Sequence, residues 1–296
     1  MRLFINYIKS YLQDYPTVYK IAQKINNIIR VDQKIHKHRR KKFREQCYKK
    51  FYDGEKRIQK KYGTIEVIYD AISAKNFWHL TTGSQDEGKF SDHLFNNYIL
   101  EGMVIFDIGS HTGQYTIPFA KKVGPKGHVY AFEPENDGFN AIKNNLIINN
   151  LINVNVFNLA ISDHNKKINF YKRPDKDTHS IFEETSSPSE ISEQVVEVVR
   201  SQTIDALFEK KIVNRIPDLI KIDTEGAEIK ILRGAKKTLQ SVKLLLIEIH
   251  VDDLVRQGYK NPYSTLEEEL IKNNFIHHKY LDEIHILASK KQIDKK

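Results

Sequence analysis

Met103-Val-Ile-Phe-Asp107-Ile-Gly109-Ser-His-Thr-Gly113-Gln-Tyr115 is the stretch from which the fold is read. It is apolar up to Ile108, breaks at a glycine-containing turn, and takes up a helical pattern from about Tyr115 to Val123. Glycines in such a turn let the backbone bend sharply and approach a ligand, whose polar groups then meet free N–H groups at the positive end of a helix. The turn lacks the middle glycine of Gly-x-Gly-x-x-Gly, which argues against a nicotinamide or flavin enzyme.

The same alternation continues downstream. Short apolar runs at 128–132, 154–160, 219–223 and 243–249 alternate with helical patterns across 136–149 and 228–239, and a pair of strands over 280–289 closes the chain after a helix at 264–273. Strands that are apolar on both faces and alternate with helices of ten or more residues describe a parallel sheet covered on both sides. Between 163 and 203 the rhythm breaks. Residues 167–172 and 194–199 alternate like strands, and 173–188 are rich in Asp, Ser, Thr and Pro, the pattern of an inserted hairpin or a substrate-facing loop.

The chain has 296 residues, 40% apolar and 29% charged, which is ordinary globular composition. Its one cysteine, Cys47, removes any internal disulfide or multi-cysteine zinc site. No run approaches a membrane span and no signal peptide opens the chain, so a cytoplasmic protein is expected. The net charge of +9 is unevenly spread: residues 1–61 carry 18 Lys and Arg against 5 Asp and Glu, and the remainder is mildly acidic. This divides the chain into a basic helical arm, 1–61, and a domain over 62–296 whose motif core is 100–250. Phe4, Ile8 and Leu12 stripe the arm at helical spacing, so its expected destination is an anionic membrane surface, peripherally bound; nucleic acid is the less expected partner.

Glu133 stands at the carboxyl end of the second strand, where an acidic side chain can accept two hydrogen bonds from a ribose diol. With the glycine turn it marks a nucleoside site. Phe106-Asp-Ile-Gly-Ser-His-Thr-Gly-Gln-Tyr115, Ala131-Phe-Glu-Pro134, Leu159-Ala-Ile-Ser-Asp163, Ile220-Lys-Ile-Asp-Thr-Glu-Gly-Ala-Glu228, Leu232-Arg-Gly-Ala235 and Ile247-Glu-Ile-His250 together resemble the successive blocks of the FkbM family of S-adenosylmethionine-dependent methyltransferases. The resemblance implies a Rossmann-like class I α/β fold with a mostly parallel seven-stranded sheet and helices on both faces. It implies S-adenosylmethionine as cofactor, with contacts from Asp107, Gly109 and Gly113 around its methionine portion, Glu133 on the ribose, and Ser162 and Asp163 near the adenine, His111 of the same turn being counted among the cofactor-binding residues. The first block commonly reads Gly-Ala-Asn-x-Gly in that family; Ser110 and His111 stand here, which keeps the backbone contacts and alters the side chain. Asp223 would face the transferred methyl.

Methyl transfer to an alcohol needs a positioned acceptor and a base to take its proton. Asp223, Glu225 and His250 are the catalytic candidates. Glu228 is a fourth candidate, whose plain role is to stabilise the start of a helix. Asp223, Glu225 and His250 could instead gather a divalent cation, but spacing alone does not place three side chains around one ion, and no metal is assigned. No Asn-Pro-Pro-Tyr or Asp-Pro-Pro-Tyr segment follows the fourth strand, which disfavours exocyclic-amine methylation of nucleic acid. The resemblance points to O-methylation of a sugar, glycan or secondary metabolite, with residues 173–193, including Thr178-His179-Ser180, on the acceptor side. The rival readings are an RNA-directed methyltransferase gripping phosphates with its arm, and a catalytically silent binding module of the same fold.

Overall fold

The computed structural model describes residues 41–82, 87–172, 195–281 and 284–292. The chain forms two compact units, dividing between Glu55 and Lys56. In the first, residues 41–52 form a helix, α1. The arm read as helical over 1–61 is not helical to its end: Arg57–Tyr62 is a strand, β1, turning at Gly63 into β2, Ile65–Asp70. Alternate positions of β1 are buried, a period of two that the lysines obscured in the sequence. Two helices follow, α2 (Ala74–Thr82) and α3 (Glu87–Asn97).

The central sheet is built from β3 (Val104–Ile108), β4 (His128–Phe132), β5 (Val154–Phe157), β9 (Leu219–Ile222), β10 (Leu244–Glu248), β11 (His277–Tyr280) and β12 (His285–Ser289). Their order is β11-β12-β10-β9-β3-β4-β5; β12 alone runs against the others. This is the expected mostly parallel seven-stranded α/β sheet. Helices α4 (Thr116–Val123), α5 (Asn136–Ile148), α7 (Glu228–Arg233) and α9 (Pro262–Lys272) join its strands, with the short α6 (Ile204–Glu209) and α8 (Val251–Arg256) between. Phe106, Ile108, Phe132, Ile220, Ile222, Leu245 and Ile247 belong to one buried core. The rings of Phe106 and Phe132 lie 5.5 Å apart, and Phe208 of α6 stacks on Phe106 at 6.0 Å.

The irregular region is a three-stranded sheet of β6 (Ala160–Ile161), β8 (Val195–Gln202) and β7 (Lys167–Lys172), with β7 and β8 antiparallel as the alternation predicts. The stretch read as one strand over 154–160 is divided, since β5 ends at Phe157 and the chain joins this second sheet at Ala160. Residues 1–40 and the expected acceptor segment 173–193 lie outside the described residues. Among the described residues no helix is long and apolar enough to cross a membrane.

The β1–β2 hairpin is tied to the sheet domain by α5. Asn149 Oδ1 accepts from the Ile68 amide at 3.0 Å, Asn149 Nδ2 donates to the Ile68 carbonyl at 2.6 Å, and Asn145 Oδ1 accepts from the Asp70 amide at 2.9 Å. Side-chain amides, each donor and acceptor at once, thus serve β2 as a neighbouring strand would. Asn145 Nδ2 also donates to the Thr112 carbonyl at 3.0 Å, and Tyr69 Oη to the Gln114 carbonyl at 2.9 Å, so the hairpin braces the glycine turn.

Candidate active site

A cavity opens at the carboxyl ends of β3, β4, β9 and β10, where open α/β sheets place ligands. Of the expected residues, Asp107, Gly109, His111, Glu133, Asp223 and Glu225 line it. Gly113, Ser162, Asp163 and His250 do not stand on its wall. Ser162 packs behind it, its carbonyl where a side chain on Gly234 would sit, and Asp163 bonds the His164 ring at 2.8 Å. The wall beside β4 and β6 is instead apolar, formed by Phe132, Pro134, Leu159, Ile161 and Phe170.

The glycine turn is held by its own backbone. Gly109 and Ser110 both donate to the Phe132 carbonyl, at 3.0 and 3.2 Å. Gly109 has φ +81°, and a Cβ there would stand 1.7 Å from the Asp223 carbonyl oxygen, so β3 and the end of β9 meet as closely as two backbones can. The next residues orient Glu133: the His111 amide donates to Oε2 at 2.7 Å and the Glu135 amide to Oε1 at 2.8 Å. Burial nevertheless pushes the Glu133 carboxyl up to about 8, against both amides. His111 contributes here through its backbone, in the left-handed region at φ 48°.

Asp107 and Lys221 are register partners on adjacent strands and share a face, both buried. Lys221 Nζ lies 3.8 Å from Asp107 Oδ1, 2.9 Å from Asp223 Oδ2 and 4.6 Å from the centre of the Tyr115 ring. Thr116 Oγ1 donates to Asp107 Oδ2 at 2.5 Å, while Oδ1 is buried with no hydrogen-bond partner. Burial raises the Asp107 carboxyl despite Lys221. Burial alone would lower Lys221, but Asp223 and Asp107 outweigh it and keep it cationic. The sequence reading passed over Lys221; its signal is a lysine inside a strand whose every neighbour is buried.

Four carboxylates surround His250. Its Nδ1 lies 2.9 Å from Glu228 Oε1, and its Nε2 faces Glu225 at 3.4 Å, Glu248 at 3.6 Å and Asp223 at 3.7 Å. Burial disfavours the cation, but the Glu228 hydrogen bond and then Asp223 raise His250 to about 10. A base must be free to accept a proton, and this imidazole already holds one across the neutral range. Asp223 is destabilised by burial but held down at about 2 by Lys221 and His250. Burial raises Glu225 to about 8 against the pull of His250. Glu228 does both things open to it: it accepts from the Gly226 amide at the start of α7, at 2.9 Å, and it holds His250. Glu248, which the sequence reading did not single out, lines the cavity and contacts His285 Nε2 at 3.1 Å.

These residues suit an adenosyl sulfonium amino acid. Asp107 Oδ1, ion-paired with Lys221 at 3.8 Å but without a hydrogen-bond donor among the described residues, can accept from an ammonium group, Glu133 keeps a lone pair on each oxygen for ribose hydroxyls, and the apolar wall suits a flat base.

Residues 107–278 match the family model of the methyltransferase FkbM domain. The chain is 29% identical over 154 residues to the hexuronic acid methyltransferase AglP of Haloferax volcanii, an alignment covering 51% of this chain and 57% of that protein. The chain therefore spans little more than half the length of this curated relative. The solved FkbM methyltransferase of Methylobacillus flagellatus aligns with a TM-score of 0.44 and 13% identity, over 73% of this chain and 54% of that one. A SAM-dependent O-methyltransferase of Thermotoga maritima gives 0.41 and 14%, over 72% and 67%.

Proposed function

The chain belongs to the FkbM methyltransferase family, whose cofactor is S-adenosylmethionine, and on that premise we propose that it methylates a hydroxyl oxygen of a sugar or glycan. The observation that carries the reading is one cavity with two kinds of lining: Asp107, Gly109 and Glu133 on β3 and β4, and the carboxyls of Asp223, Glu225 and Glu248 on β9 and β10. The first set would hold the cofactor. The second lies beside it in the sheet and suits a hydroxyl, which donates to a carboxylate. The sugar class is supported by the name of the hexuronic acid methyltransferase, the relative at 29% identity.

When bound, S-adenosylmethionine supplies a sulfonium methyl that an oxygen lone pair displaces in line, the sulfur keeping the bonding electrons. The chain's task is to position the acceptor and receive its proton. Asp223 is tied to Lys221 and His250 to Glu228, which makes them positioning groups. Glu225, raised to about 8 and hydrogen-bonded to Asp253, is the proton acceptor once ionised, so transfer should rise as pH passes through about 8. Ser162 and Asp163 act from behind the wall, shaping the turn after β6. The basic arm serves as an address on an anionic membrane surface where a lipid-linked acceptor resides.

The relative's name favours one second reading, transfer to the carboxylate oxygen of a hexuronic acid, which needs no base. Incubation with methyl-labelled S-adenosylmethionine and a panel of neutral and uronic sugars, free and lipid-linked, separates the two. Label that stays on the sugar after mild alkali is a methyl ether and supports the hydroxyl; label released as methanol is an ester and supports the carboxylate. Label on neither class overturns the sugar reading.

A further inference from the structure

The geometry points to a divalent-cation site formed by Asp223, Glu248 and His250, set where the acceptor oxygen would bind. This deepens the reading just given and rests on it for the role of the ion, though not for its presence. Asp223 follows β9, Glu248 ends β10, and the parallel register pairing Ile222 with Ile247 makes these two strand ends neighbours. One ligand atom from each of the three residues lies within 4.8 Å of the others.

The strongest sign is how His250 is held. Its Nδ1 is fixed by Glu228, a carboxylate with no exposed surface, and this aims Nε2 at the oxygens of Asp223, Glu225 and Glu248, 3.4–3.7 Å away. Those separations exceed the roughly 2.7–3.2 Å of a good hydrogen bond. They are close to the spacing of neighbouring ligands around an ion, roughly 3.0–3.4 Å for metal–oxygen bonds of about 2.1–2.4 Å. A carboxylate holding the far nitrogen of a metal-binding imidazole is the usual way such a ligand is oriented.

A second observation is independent of the converging oxygens. Among the described residues Glu228 Oε2, on the carboxylate that holds His250, is buried with no hydrogen-bond partner. Asp223, Glu225, Glu228 and Glu248 all lie within 3.7 Å of the His250 ring nitrogens. A divalent ion bound at Nε2 takes the place of the proton the imidazolium carries there, which is released on binding. Two carboxylates and one imidazole suit manganese or magnesium over softer ions that prefer thiolates. With three protein ligands, the remaining coordination positions are left for acceptor oxygens. The acceptor class that fits is a sugar presenting two adjacent oxygens, a vicinal diol or a hydroxyl beside a carboxylate. A coordinated hydroxyl is more acidic, and its proton passes to Glu225.

The test is a Mn2+ titration of the full chain followed by electron paramagnetic resonance, with neither cofactor nor acceptor present, so that it stands apart from any failure of methyl transfer. We expect the free-ion signal to be depleted with a stoichiometry of one, and Glu248→Gln and Asp223→Asn each to weaken binding at least tenfold. Thermal unfolding of the wild type is expected to shift upward with Mn2+, and that of Glu248→Gln to be indifferent, which keeps the test decisive if Asp223→Asn does not fold. A wild-type chain that leaves Mn2+ free, or variants that bind it as tightly as wild type, overturns the site.

Discussion

Two residues of the cavity carry effects large enough to measure alone. Gly109 combines a positive φ with a carbonyl oxygen 1.7 Å from where a Cβ would lie. Gly109→Ala is therefore expected to cost more than about 2 kcal/mol in chemical denaturation, from left-handed strain together with overpacking. Glu133 is held near 8 instead of 4.5 by burial. Its raised value contributes stability that is complete below 4.5 and lost as pH rises through about 8, so the unliganded chain should melt progressively lower over that window. Ribose hydroxyls favour the ionised carboxylate, so ligand affinity runs the other way. Methylthioadenosine, which has no titrating amine, is expected to bind up to about tenfold more tightly at pH 8.5 than at 6.5, and Glu133→Gln should flatten that dependence; equal wild-type affinities at the two pH values would refute it. Residues at strand ends, Asp107, Glu133 and Asp223, were legible in the sequence because topology alone places them at the cavity. Lys221 and Glu248 were not, since their importance lies in cross-strand register, and Ser162 and Asp163, where the chain leaves the central sheet at β6, are not among the lining residues.

At the scale of elements, the parallel strands could be read because burial on both faces leaves unbroken apolar runs. The β1–β2 hairpin could not. Its outward Arg57, Gln59, Lys61 and Glu66, with Lys60 at a buried position, imitate a polar helix, and its partner is a pair of asparagine side chains distant in sequence. Those amides stand in for a strand, so Asn145→Ala leaves the Asp70 amide and the Thr112 carbonyl without their partner. The expected loss is about 1–3 kcal/mol. Hydrogen exchange should quicken at Asp70 and through the glycine turn while β9 and β10 stay protected; uniform acceleration would mean that the hairpin is not a separate brace.

For the molecule as a whole, the net charge of +9 belongs to the arm, and the cavity is rich in carboxyls. The chemistry and the proposed address are therefore expected to be separable. Removing residues 1–55 is expected to abolish co-sedimentation with anionic liposomes and leave cofactor affinity unchanged, and retained co-sedimentation would contradict the membrane role of the arm. Every step of the proposed chemistry depends on the cavity at the strand ends being the cofactor site. Calorimetric titration with S-adenosylhomocysteine tests this most directly: one molecule should bind per wild-type chain, and Glu133→Ala should weaken binding at least about tenfold, the loss of one to two buried hydrogen bonds. A wild-type chain that gives no heat of binding, or a Glu133→Ala chain that binds as well as wild type, would contradict it.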